Sequence, residues 1–106
     1  MKKFTILIPV YNDWESLKKL LLEINTNVEN LENVEFECII INDSSTEETP
    51  KISVPINIKA IKLINMKENK GHARCNAFGI RYLAKNDKNY DHVILMDGDG
   101  EDRPEE

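Results

Sequence analysis

The carboxylates with the clearest chemical potential in this chain are Asp97, Asp99 and Glu101, each one residue apart, directly after the apolar run Val93-Ile94-Leu95-Met96. A short apolar run of this kind reads as a buried strand. Side chains alternate along a strand, so Asp97 and Asp99 point to the same side if the strand geometry continues. Carboxylates on one side at a strand end repel each other unless a cation lies between them. Hard divalent ions such as Mg²⁺ and Mn²⁺ favour oxygen ligands of this type. The same ion can bridge a diphosphate, which makes a metal-dependent nucleotide site the leading reading.

Rival readings of the same residues exist. The plainest is a solvated acidic turn, with the chain a non-catalytic α/β module. An EF-hand loop would also use Asp97, Asp99 and Glu101 as its first three ligands, but its sixth position calls for Gly, Asp102 stands there, and a strand precedes it. The haloacid-dehalogenase phosphatase motif likewise sets Asp residues one apart after an apolar strand, with Asp97 as nucleophile. That motif usually opens its domain and continues with Gly and then Thr or Val. Gly100 fits it, Glu101 does not, and here the segment closes the chain.

Three further groups of polar residues could serve a ligand. In Asn42-Asp43-Ser44-Ser45, Asp43 could accept hydrogen bonds from a base or ribose, although Asp and Ser cap helices just as readily. Lys70-Gly71-His72-Ala73-Arg74 opens a helix, where free N–H groups and the macrodipole favour anions. Arg74 could reach a phosphate or a base, or could be an ordinary surface residue. Tyr11 could pack on a base or simply end a strand.

The elements that must position these residues alternate along the chain. Phe4 to Val10 is a β-branched apolar run, with Pro9 expected near its end, where a missing ladder bond matters least. Asn12 or Asp13 should cap a helix, with Glu15 completing a capping box after Asn12. Trp14, Leu17, Leu20, Leu21, Ile24 and Val28 give that helix an apolar face. Phe36 to Ile41 is a second strand. Ser45 and Glu48 suggest a short helix ending near Pro50. Ile56 to Ile64 reads as a third strand whose alternation slips at Ala60-Ile61. After an Asn69-Lys70-Gly71 turn, Ala73, Ala77, Ile80 and Ala84, supported by Phe78 and Leu83, mark one face of a further helix. Tyr90 to Met96 is the fourth strand. Alternating strands and helices imply an α/β fold: a Rossmann-like open, mostly parallel sheet with helices on both faces and right-handed crossovers. Ligands in such sheets bind beyond the carboxyl ends of the strands, which selects the polar segments named above.

Bulk composition narrows the class. A chain of 106 residues, 41% hydrophobic, is expected to form one domain with a small core. A net charge of −5 argues against a nucleic-acid binder. Cys38 and Cys75 form no CxxC pair and read as reduced thiols, with a cytoplasmic expectation. No apolar stretch approaches the roughly 20 residues that span a bilayer, and the start does not resemble a signal peptide.

Taken in order, the segments resemble the family 2 glycosyltransferases, inverting nucleotide-sugar enzymes of the GT-A fold. Ile8-Pro9-Val10-Tyr11-Asn12-Asp13 is similar to the family's opening strand and turn. Ile41-Asn42-Asp43-Ser44-Ser45-Thr46 is similar to its second motif, with Asn42 in place of the usual first acid and Ser44 in place of the usual Gly. Asn69 to Arg74 resembles the third, and Asp97-Gly98-Asp99 the DxD motif. Met96 to Glu105 looks most like the polyprenyl-phosphate sugar transferases, the dolichol-phosphate mannose synthase-like branch. The resemblance implies that Pro9, Tyr11, Asp13, Asp43, Arg74 and Asp97 line a nucleotide. It also implies that Asp97, Asp99 and Glu101 hold Mg²⁺ or Mn²⁺ on the diphosphate, and that base recognition survives the Asn42 and Ser44 departures with altered loop geometry. The implied donor is a nucleoside-diphosphate sugar. The implied acceptor is a lipid phosphate at the inner face of a membrane. Residues 1–106 correspond to the donor-binding half, which stops after the DxD segment. The catalytic base and acceptor site are expected in a further half, this half alone is expected to be inactive in transfer, and an exposed sheet edge could drive self-association.

Overall fold

A computed structural model describes residues 1–86 and 90–96. The acidic cluster Asp97, Asp99 and Glu101 lies outside the described residues. The chain runs β1 (Lys2–Val10), α1 (Trp14–Val28), β2 (Val34–Asn42), β3 (Ala60–Asn65), α2 (His72–Asn86) and β4 (His92–Leu95). The strands form one sheet in the order β3-β2-β1-β4, and every neighbouring pair is parallel.

The two central strands, β1 and β2, are buried on both faces, as a sheet covered by helices requires, while the outer strands β3 and β4 are half-buried to exposed. Ile6, Ile8 and Val10 of β1 and Cys38 and Ile40 of β2 pack with Trp14, Leu17, Leu20, Leu21 and Ile24 of α1. Leu7, Ile39 and Ile41 turn to the opposite face and meet Cys75 and Leu83 of α2. Full burial of each large apolar side chain contributes about 1.5–3 kcal/mol. Pro9 occupies a central strand, yet β4 pairs with β1 only as far as Leu7↔Leu95. The Leu7 carbonyl faces β4 and accepts from Met96 N–H at 3.0 Å, whereas the Val10 carbonyl faces β2's exit and accepts from Asp43 N–H at 2.8 Å. Alternation then aims the Pro9 nitrogen toward the β4 side, beyond Leu7↔Leu95, the last β1–β4 pair among the described residues.

Several local expectations are corrected. The stretch after Ser45 forms bends, not a short helix. Ile56 and Asn57 form a turn, and β3 begins at Ala60, where the alternation slips. The inner face of α2 is not Ala73, Ala77, Ile80 and Ala84: the three alanines are exposed and Ile80 is 46% exposed. Cys75, Gly79 and Leu83 face the sheet, with Phe78 and Tyr82 beside them. Gly79 sets this rotation. A Cβ there would come 2.8 Å from Ile41 Cδ1 and 3.0 Å from Leu7 Cδ1. The helix therefore approaches the sheet through the one residue without a side chain, which hydropathy does not mark as core.

Candidate functional site

Parallel pairing puts the carboxyl ends of β1, β2, β3 and β4 along one edge of the sheet, together with the starts of α1 and α2. Tyr11 and Asp13 follow β1, Asp43 follows β2, Met66 to Gly71 follow β3, and the chain leaves β4 at Leu95 and Met96. Tyr11 is 41% exposed and Asp13 half-buried.

Asp43 is the most constrained of these residues, at 1% exposure. Its Oδ1 accepts from Lys70 N–H at 2.6 Å and its Oδ2 from Gly71 N–H at 2.9 Å. Gly71, at φ +85°, lies in the region that favours glycine, and its carbonyl accepts from Cys75 N–H at 3.1 Å to start α2. Asp43 thus caps α2 from another strand, where the positive end of the helix favours its charge. Asn69 Nδ2 donates to the Asp43 carbonyl at 3.2 Å, closing the link between the β2 exit and the α2 entry. The Cys75 thiol is pushed up to about 12 by burial first and then by its hydrogen bond and proximity to Asp43. Burial, assisted by Glu37, does the same to Cys38, also to about 12, so both thiols are protonated at neutral pH.

The β1–α1 turn is tied to the β2 exit by Asn12, a residue the sequence reading took only as a cap. Asn12 N–H donates to Ser45 Oγ at 2.9 Å and its Nδ2 to Thr46 Oγ1 at 2.9 Å, while its Oδ1 accepts from Glu47 N–H at 2.9 Å. The expected capping box is therefore absent. Asp13 occupies the cap position of α1 without a side-chain bond, and Asn12 is turned away to the neighbouring loop at φ 60°. The only sequence signal for this strap was an Asn in a turn, a type that tolerates positive φ. Asn42 Oδ1 accepts from Ser45 N–H at 3.0 Å, and its Nδ2 donates to Asn65 Oδ1 at 2.9 Å. Ser44 adopts φ 59°, so the loop keeps a conformation that a Gly would hold without strain.

Arg74, in the first turn of α2, is exposed and lines a groove with Met66, Lys70, Ala77, Phe78 and Arg81. The structure thus brings Tyr11, Asp13 and Asp43 to one edge, with Arg74 on the flank of α2 beside it. Among the described residues no group of three His, Cys, Asp or Glu side chains could hold a metal ion. The metal expectation rests on Asp97, Asp99 and Glu101 alone. No helix among the described residues is long and apolar enough to cross a membrane.

Comparisons with known proteins agree with this layout. The undecaprenyl-phosphate 4-deoxy-4-formamido-L-arabinose transferase of Proteus mirabilis (strain HI4320) is 31% identical over 107 residues, covering 100% of this chain and 32% of the relative. The protein of the same name from Salmonella choleraesuis (strain SC-B67) is 29% identical over 109 residues, again covering 100% of this chain and 32% of the relative. The chain thus spans about a third of the length of these relatives. The crystal structure of S. aureus TarS superimposes with a TM-score of 0.63 at 21% identity, over 93% of this chain and 17% of that one, a likeness of fold. Residues 5–106 match the Glycosyl transferase family 2 profile, and the chain belongs to that family.

Proposed function

We propose that this chain is the donor-binding part of a glycosyltransferase that moves a sugar, with inversion, from a nucleoside diphosphate to a polyprenyl phosphate. The observation that carries the reading is the convergence, at one sheet edge, of the β1 and β2 exits, the Asp43-capped start of α2 and the exit of β4. Open α/β sheets bind nucleotides at such an edge. The acceptor class follows from the names of the relatives, which act on undecaprenyl phosphate.

In this reading Tyr11 stacks on the base, with Pro9 shaping the turn beneath it and Asp13 near the ribose. Asp43 already binds two backbone N–H groups, so its contribution at the base end is to hold Lys70 and Gly71 in place. Arg74 supplies positive charge toward the diphosphate. Asp97, Asp99 and Glu101 would hold Mg²⁺ or Mn²⁺; when bound, such an ion neutralises charge on the departing nucleoside diphosphate. A phosphate acceptor is ionised at neutral pH and needs no base to deprotonate it, unlike a hydroxyl. Sugar transfer itself is assigned to the longer protein, working on the cytoplasmic side of a membrane. The outer edge of β4, unpaired among the described residues, is the place for self-association or for further strands.

Calorimetric titration of UDP and GDP into the chain, with and without Mn²⁺, tests the reading. Metal-dependent binding that disappears in Asp99→Ala is expected. Binding of neither nucleotide, or metal-independent binding that survives in Asp99→Ala, would overturn it.

A further inference from the structure

Charge is distributed unevenly over this acidic chain. From Asn69 to Asn86 there is no Asp or Glu, while Lys70, Arg74, Arg81 and Lys85 are present, in a protein with 19 acids and 14 Lys and Arg. Lys70, Arg74 and Arg81 line a groove of about 350 Å³ between α2 and the segment that leaves β3, floored by Met66, Ala77 and Phe78. Lys70 pairs with Glu68 at 3.2 Å. Arg74 and Arg81 have no carboxylate partner among the described residues. They lie two helical turns apart on one side of α2, about 10 Å along its axis. Ile80, beside Arg81, is 46% exposed. β3 is an edge strand, so the groove opens on the outer flank of the sheet.

We propose that this groove and the outer face of α2 form a docking surface for an anionic lipid bilayer. Charge complementarity favours that occupant. The Arg81 guanidinium, without a carboxylate partner among the described residues, can bind phosphate oxygens in a forked geometry, and the apolar floor with Ile80 suits the headgroup boundary, where a basic helix face with apolar neighbours settles. An acidic protein surface elsewhere would be repelled by such a bilayer, so the contact orients the molecule with α2 inward. Because α2 starts at the edge that carries Asp43 and Tyr11, the contact holds that edge close to the lipid surface. The docking surface is centred on Ile80, Arg81 and Lys85, beyond the first turn whose Arg74 is assigned to the diphosphate, and does not depend on nucleotide.

The test is co-sedimentation of the chain with vesicles of phosphatidylcholine alone and of phosphatidylcholine mixed with phosphatidylglycerol, at low and at 0.5 M salt, without nucleotide. Binding to the anionic vesicles only, weakened by salt, is expected. Arg81→Glu should lower the partition coefficient about tenfold or more, while Lys19→Glu on α1, on the opposite side of the sheet, should leave it within about twofold. Circular dichroism and the thermal midpoint establish that both variants are folded. Excess inorganic phosphate should compete no better than sodium chloride of equal ionic strength. Equal binding to neutral vesicles, no binding to either, an unaffected Arg81→Glu variant, or selective competition by inorganic phosphate would each overturn the proposal. Nucleotide titration of Arg81→Glu runs separately, so failure of the donor-site reading and failure of bilayer docking give different results.

Discussion

The two long helices start at the same edge of the sheet but are begun by different means. α1 starts at Asp13 with no side-chain hydrogen bond at its cap, because Asn12 is committed to Ser45, Thr46 and Glu47. α2 starts at Gly71 with both oxygens of a buried carboxylate on the N–H groups of Lys70 and Gly71. α1 forgoes a local cap and is held by its apolar stripe of Trp14, Leu17, Leu20, Leu21 and Ile24. α2 has a weaker apolar face, interrupted by Gly79, and depends more on its cap. In both cases a polar side chain that could have served its own segment instead joins two loops of the site. At α1 a local cap is given up for fixed loop geometry where a ligand would bind, whereas at α2 one carboxylate fixes the loop and supports the helix start together.

The sharpest way to break the comparison is Asp43→Ala. It leaves the Lys70 and Gly71 N–H groups without their acceptor and removes the partner of the Cys75 thiol. Loss of a cap combined with unsatisfied, partly buried donors should cost about 2 kcal/mol in urea unfolding. Asp43→Asn, with one acceptor oxygen left, should cost less. Asp13→Ala, at the corresponding position of α1, should cost under about 0.5 kcal/mol, since no side-chain bond is lost there. Equal effects at the two caps would remove the distinction.

A comparable effect is expected from the strap. Asn12→Ala removes two side-chain bonds and places Ala at φ 60°. Together these should cost about 2 kcal/mol. Asn12→Gly loses the same bonds but tolerates the backbone, so it should cost roughly half as much. The Ser45 bond from the Asn12 backbone persists in both. Comparison of the two variants therefore separates backbone strain from tethering. If nucleotide binding falls equally in both while Asn12→Gly stays nearly as stable as the parent, the tether matters to the site and not only to the fold.

Legibility in the sequence follows the same division. The succession of strands along the chain and the α1 face were readable because they rest on apolar periodicity, a signal spread over many residues, and parallel pairing followed from the alternation of strands with helices. The placement of Asp43 after β2 was readable too, from position alone. What it binds was not: Lys70 and Gly71 are remote in sequence, and nothing local in Asn42-Asp43-Ser44 announces them. The α2 face was misjudged because Gly79 contributes contact by lacking a side chain, and periodicity counts side chains. Asn12 was misread for a related reason. A cap and a strap use the same atoms, and only the position of the Thr46–Glu47 loop decides between them. Two-residue polar contacts across loops are invisible to any local pattern, whereas the groove cations Arg74 and Arg81 were visible as residues but not as neighbours of Met66 and Phe78.

The smallest expected effect has the opposite sign and concerns the residue that stands where the family usually has Gly. Ser44 holds φ 59°, a conformation that costs an L-residue about 1–2 kcal/mol. Neither its side chain nor its backbone makes a described hydrogen bond across the site; those of the loop belong to Asn42, Ser45 and Thr46. Ser44→Gly relieves the strain but frees the unfolded chain, which returns about 0.5–1 kcal/mol of the gain. The net should be a stabilisation of up to about 1 kcal/mol, read as a higher urea midpoint at unchanged slope. If the strain is confined to this residue, the effects of Ser44→Gly and Asn12→Gly should add within about 0.5 kcal/mol. If Asn12 is what forces Ser44 into that conformation, through Ser45 and Thr46, releasing the strap should erase the benefit of glycine. That result would make the β2 exit a consequence of the β1–α1 turn, and would extend to the loop the rule that separates the two helix starts.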